Sequence, residues 1–213
     1  VDLDSGTKSI YVWGVFAASF FMRPIGSWLF GYIGDKYGRK KSMIISIVLM
    51  SISSFLFAFL PTYASVGILA PILLLLVRLL QGLSVGGEYG TVATYMSEVA
   101  LKGRKGFFAS FQYVTLSGGQ LLASILGIVM IHFMTEQRLY DGGWRIPFII
   151  GGVVALFSLF LRTHLQETTS TESRANKDSG NIVSLIRKHG RAFATVIGFT
   201  SAGSLAFYTI TVY

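Results

Sequence analysis

Long apolar stretches, at roughly 9–33, 43–60, 68–97, 107–133, 145–161 and 192–213, alternate along the chain with short polar segments. Each stretch reaches or nearly reaches the roughly 20 residues that a helix needs to cross a bilayer, and none has the short alternating pattern of a barrel strand. The pattern predicts an all-α membrane protein with six transmembrane helices. Between the fifth and sixth stretches, "QETTSTESRANKDSGN" is polar and has no apolar periodicity, which predicts a linker over 162–191. That linker separates a unit at 1–161 from the first helix of a second unit at 192–213.

Composition strengthens this reading. Apolar residues make up 52% of the chain and charged residues 13%, and the mean hydropathy is +0.61, a balance that a soluble domain of this size does not need. A net charge of +8 suggests nucleic acid only until the bases are placed. Thirteen of the 18 Lys and Arg lie in 34–42, 98–106 and 162–191, which are alternate connections. The positive-inside bias makes those three segments cytoplasmic, so the basic excess is a topology signal and no nucleic-acid partner is expected. There is no cysteine. The opening "VDLDSGTKS" lacks an initiator methionine and a basic leader region, so the chain reads as an internal piece of a longer protein.

Two bases remain inside the apolar runs. At 1.5 Å per residue, Arg23 lies about 18 Å from Asp35 at the inner surface and Arg78 about 15 Å from the outer end of its span, which puts both near the midplane. A charge at that depth is expensive and should face protein or a watery cavity. The two arginines are candidate partners for an anionic substrate, or else members of a buried structural ion pair. The accompanying carboxylate is Glu88, in "RLLQGLSVGGEYG", on nearly the same helix face as Gln81. Glu88 is a candidate proton carrier, because burial raises a carboxyl pKa, or a fixed salt-bridge partner near the inner interface. Tyr113 and Gln120 occupy one face of the fourth span and are candidate orienting groups for a substrate; helix-to-helix hydrogen bonding is the alternative. Gly82, Gly86 and Gly90 form a small-xxx-small ridge that allows close helix packing. None of His132, His164 and His189 has the setting of a buried catalytic base, and no spacing suits a metal, so neither an enzyme nor a cofactor is expected.

The stretch "GYIGDKYGRKK" at 31–41 predicts a loop of about eight residues joining antiparallel neighbours, with Gly34 and Gly38 allowing the reversal. Asp35 and Arg39 can pair with each other or with Glu98 and Arg104, which the topology brings to the same face. Such a network can hold one side of a bundle closed and release it as helices tilt. The alternative is that its bases only fix topology.

This stretch resembles the cytoplasmic loop signature of the major facilitator superfamily, G-x-x-x-D-[RK]-x-G-R-[RK]-[RK], through Gly31, Asp35, Lys36, Gly38, Arg39, Lys40 and Lys41. "RLLQG" is similar to the superfamily's R-x-x-x-G motif through Arg78 and Gly82. "YMSEVALKGRKG" is similar to its E-x(5–6)-R-[GK]-G pattern through Glu98, Arg104 and Gly106. "RPIGSWLFGYIGDKYGRKK", "GGEYG" and "GWRIPF" resemble the metabolite:proton symporter family. Two longer stretches, "GTVATYMSEVALKGRKGFFASFQYVTLSGGQLLA" and "GFTSAGSLAFYT", look more like its 2-oxoglutarate carriers than its shikimate or proline/betaine members.

The resemblance implies a twelve-helix fold in two halves, of which this chain would hold helices two to seven, in a bacterial cytoplasmic membrane. It also implies proton-coupled symport of a dicarboxylate such as 2-oxoglutarate by alternating access, with a monomeric full-length protein. Another organic acid (shikimate, citrate) or a compatible solute (proline/betaine) is the alternative. On this mapping Arg23, Arg78, Gln81, Tyr113 and Gln120 would bind substrate. Glu88 would couple the proton, and Asp35, Arg39, Glu98 and Arg104 would gate.

Overall fold

A computed structural model describes residues 5–169 and 182–212, and these form helices joined by short turns, with no strand among them. The long helices are α1 (Ser5–Tyr37), α2 (Arg39–Ala58), α4 (Leu69–Val99), α5 (Lys105–Phe133), α7 (Ile146–Thr163) and α8 (Ile182–Val212). Two short ones, α3 (Tyr63–Val66) and α6 (Glu136–Tyr140), lie in the connections at the end opposite the basic segments, and a 3-10 turn (Gly143–Arg145) leads into α7. Six long helices are thus where six apolar stretches predict them.

Among the described residues, four segments are both long and apolar enough to cross a membrane: Arg39–Ala58, Leu69–Val99, Lys105–Phe133 and Gly143–Thr163. α1 and α8 have the length but are more polar. Arg23 and Pro24 interrupt the middle of α1, and Ser, Thr and Tyr recur along α8.

The predicted loop at 34–42 is a single residue. α1 continues through Asp35 to Tyr37, and α2 starts at Arg39. The reversal is made by Gly38 alone, whose φ of 115° lies where side chains are strongly disfavoured. Gly34 is helical and does not turn the chain. A Cβ on it would lie 2.9 Å from Arg39 Nη1, so its lack of a side chain makes room for the Arg39 guanidinium.

α1 and α4 cross with their backbones in contact. A Cβ on Gly26 would meet the Leu83 carbonyl oxygen at 2.1 Å, one on Gly82 the Ser19 oxygen at 2.2 Å, and one on Gly86 the Arg23 oxygen at 2.0 Å. The ridge predicted on α4 is therefore used at Gly82 and Gly86, and α1 answers with Gly26. Gly90 faces open space and takes no part.

Small hydroxyls then tie these close backbones together. Ser27 donates to the Gly86 carbonyl at 2.7 Å, Ser42 to Phe30 at 2.6 Å, Ser84 to Ser46 at 2.6 Å and Ser51 to Gly152 at 3.2 Å. These bonds link α1, α2, α4 and α7, each contributing about 0.6 kcal/mol by analogy with measured intramembrane bonds.

Toward the opposite end, Phe57 stacks on Phe148 at 4.0 Å with Trp144 edge-on, and Leu60, Val77 and Leu74 complete the cluster. By contrast, α5 buries only Met130, and the described side chains of α8 are almost all exposed.

Candidate functional site

At the basic end, Arg39 is the centre of a polar cluster. Its Nη2 lies 2.6 Å from Asp35 Oδ1, one helical turn back across Gly38, and its Nε donates to Glu98 Oε1 at 3.4 Å. Three of the predicted gating residues therefore meet across the ends of α1, α2 and α4. The fourth does not. Arg104 precedes the first turn of α5, is exposed, and forms no ion pair among the described residues.

Its place is taken by a segment that sequence reasoning treated as featureless linker. The Arg39 backbone N–H donates to Glu167 Oε1 at 2.8 Å and to Thr169 Oγ1 at 3.2 Å, and the Thr168 hydroxyl donates to Glu98 Oε2. Lys40 Nζ donates to the Thr163 carbonyl at 2.6 Å. The first turn of α2 has free N–H groups and no side-chain cap of its own, so a carboxylate arriving from the chain after α7 is favoured there by the helix dipole. The side chains of Arg39, Asp35 and Glu98 are 14%, 36% and 31% exposed. With about a third of each carboxylate still in contact with solvent, these pairs are screened and weaker than fully buried ones, so the cluster can be made and broken at a lower cost than a buried pair.

Glu88 is fixed by a residue assigned from sequence to the linker. Arg162, near the end of α7, pairs through Nη2 with Glu88 Oε1 and donates through Nη1 to the Met43 carbonyl at 3.2 Å. One guanidinium thus ties α2, α4 and α7. This is the salt-bridge arrangement, one of the two roles open to Glu88 in the sequence. Arg162→Ala should destabilise the protein by about 1–3 kcal/mol, because it strands a largely buried carboxylate and a carbonyl. Glu88→Gln, which still offers an oxygen, should cost less. Thermal unfolding of the two variants checks the order, and unchanged midpoints in both would dismiss the tie.

The candidate substrate residues do not converge on one point. Arg78 Nη1 donates to Gln81 Oε1 at 2.9 Å and its guanidinium lies 4.6 Å from the Phe57 ring centroid, so it turns toward α2. Arg23 lies over Phe20 at 3.9 Å. The α1/α4 contacts advance four residues together, Ser19 with Gly82 and Arg23 with Gly86, so the helices run parallel. Taken with the Gly26–Leu83 contact, that register sets Arg78 about six residues, about 9 Å, from the level of Arg23. The expectation that both sit at the midplane is corrected: the two bases occupy different depths, because parallel packing fixes their relative height.

Tyr113 is exposed and shares a 3.1 Å hydrogen bond with the Tyr89 hydroxyl, while Gln112 donates to the Tyr89 carbonyl at 3.1 Å. Gln120 is exposed, with no hydrogen bond among the described residues. An open cleft of about 540 Å³ lined by Ile131, Glu136, Leu139, Tyr140 and Trp144 contains none of these side chains. Among the described residues no three potential ligands cluster as a metal site would require.

A bundle of long apolar helices with glycine crossings and a charged cluster at one end fits the fold of major facilitator superfamily transporters, and similarity to known proteins in both sequence and structure bears this out. The fold aligns with the solved structure of the proton:xylose symporter XylE bound to 6-bromo-6-deoxy-D-glucose at a TM-score of 0.72 and 22% identity, over 99% of this chain and 46% of that one. The sequence profile described as "Sugar (and other) transporter" matches residues 3–199, and the chain belongs to that family. Among curated relatives, the alpha-ketoglutarate permease of Escherichia coli K12 is 58% identical over 97% of this chain and 48% of its own length. The citrate-proton symporter of Klebsiella pneumoniae is 36% identical over 93% of this chain and 45% of its own length. A proline/betaine transporter of Salmonella typhimurium is 34% identical over 99% and 44%. The chain spans about half the length of the curated relatives it matches.

Proposed function

We propose that the full-length protein containing this chain is a secondary active transporter of the bacterial cytoplasmic membrane that couples inward proton movement to uptake of a dicarboxylate such as 2-oxoglutarate. The observation that carries this reading is the 58% identity to the alpha-ketoglutarate permease, spread over 97% of the chain. Arg23 and Arg78 then hold opposite ends of the substrate and not a single carboxylate, in keeping with their difference in level of about 9 Å. Gln81, Tyr113 and Gln120 orient it. The cluster of Asp35, Arg39 and Glu98 acts as the cytoplasmic gate, and Arg104 joins it only in another conformation. Glu88 carries the coupling proton only if its pair with Arg162 opens during the cycle. The protein works as a monomer, needs no cofactor, and takes an organic anion and protons as its ligands.

A second reading, symport of citrate or of a compatible solute, is favoured by the 36% and 34% identities to the citrate-proton symporter and the proline/betaine transporter. Uptake of labelled 2-oxoglutarate by full-length protein in vesicles, with and without an inward proton gradient, separates the two. Gradient-driven uptake that excess citrate, shikimate and betaine fail to compete is expected. Absence of 2-oxoglutarate uptake, with uptake of one of the competitors, would transfer the assignment to the second reading.

A further inference from the structure

We propose that the segment leading into the last span, residues 182–191, is an interfacial anchor that binds anionic phospholipid headgroups at the inner surface of the membrane. α8 is not one straight helix. At His189 the backbone takes φ −131° and ψ 33°, outside helical geometry, and Gly190 follows. The break falls where the chemistry of the helix changes. Arg187, Lys188 and Arg191 lie at the break and are exposed, whereas 192–212 contains no charged residue.

A helix entering the bilayer at 192 does not need a bend to enter. A bend at 189 lets the preceding stretch leave the axis of the span and lie along the interface, where phosphate esters are. Ile186 is 46% exposed beside the bases and supplies an apolar side chain for the boundary layer.

The charge balance also favours lipid phosphate. α8 contains no Asp or Glu. Among the described residues, the acids at the basic end, Asp35, Glu98 and Glu167, are held by Arg39 and Thr168; Glu172 and Asp178 lie outside the described residues. A cluster of three cations within five residues, with no acid in its own helix, matches the negative surface potential of an anionic leaflet, where each base strengthens binding roughly fivefold.

The test uses full-length protein and the triple variant R187Q/K188Q/R191Q. After mild delipidation, native mass spectrometry should show phosphatidylglycerol retained on the wild type and reduced at least about tenfold on the variant, within the roughly hundredfold ceiling that three bases set. Retention of zwitterionic lipid should be unchanged. Hydrogen exchange over 182–191 should slow when phosphatidylglycerol is added to otherwise zwitterionic nanodiscs, in the wild type only. Equal phosphatidylglycerol retention by the two proteins would overturn the proposal. If the variant does not fold, exchange over 182–191 in the wild type that is insensitive to anionic lipid would overturn it instead. Neither readout involves substrate, so failure here leaves the transport assignment untouched.

Discussion

Gly86→Ala should lower the stability of the protein by about 3 kcal/mol, at the upper end of the usual cost of overpacking, while Gly90→Ala, one turn along the same face of α4, should cost nothing and stabilise by up to about 1 kcal/mol. A methyl group at 86 would stand 2.0 Å from the Arg23 carbonyl oxygen and 2.7 Å from its carbonyl carbon and Cα. Those are main-chain atoms, so no rotamer change relieves the clash and the two helices must move apart. Separation also stretches the bond from Ser27 to the Gly86 carbonyl, 2.7 Å in the native packing. At 90 nothing lies within 4 Å, and alanine gains helix propensity over glycine of about 1 kcal/mol. Thermal or denaturant unfolding of both variants decides the matter: similar midpoints would mean that the α1/α4 crossing is looser than its geometry indicates.

Asp35→Asn should slow uptake by an order of magnitude or more while changing equilibrium substrate affinity little. The amide keeps the shape and an acceptor for Arg39 Nη2, now 2.6 Å from the carboxylate, but removes the charge that favours this arrangement of helix ends. Differences between conformational states of 1–3 kcal/mol correspond to about 5- to 150-fold in a coupled equilibrium, and the binding residues proposed above lie elsewhere. Asp35→Glu, which keeps the charge on a longer stem, should recover part of the rate. Initial uptake rates in vesicles set against equilibrium binding in detergent provide the check, and full-rate uptake by the Asn variant would remove Asp35 from the gate.

Helix number and order are legible in the sequence because lipid demands long apolar runs, and no competing signal overrides them. The ends are less so. Polar residues at an interface continue a helix as readily as apolar ones, so α1 runs to Tyr37 and the predicted eight-residue loop contracts to Gly38. The pairing of Asp35 with Arg39 and Glu98 is legible from spacing plus topology, whereas Glu167 reaching Arg39 across 128 residues is a tertiary fact with no periodicity to announce it. Arg162 was hidden for a related reason: counted with the linker bases, it gave no sign that one guanidinium would turn back to Glu88. The Gly82 and Gly86 contacts follow from a visible ridge, but its extension to Gly90 fails because α1 meets α4 over only part of that ridge. Buried serines in α2 did carry a signal, since Ser42, Ser46 and Ser53 recur at helical spacing on a face with little room.

Those serines carry an asymmetry of inheritance. In the ties from Ser27, Ser42, Ser51 and Ser84 the donor is a side chain and the acceptor a main-chain carbonyl. Every residue brings a carbonyl, so the genetic code specifies only one partner of each bond. Substitution at the acceptor position can crowd the contact but cannot delete the oxygen, and no second-site change of side chain there can restore a lost hydroxyl. Positions 27 and 86, or 84 and 46, are therefore coupled in space with no pairing of side chains to tie their sequences together. Side-chain covariation would leave these four bonds without a trace, although they join every pair of helices they cross.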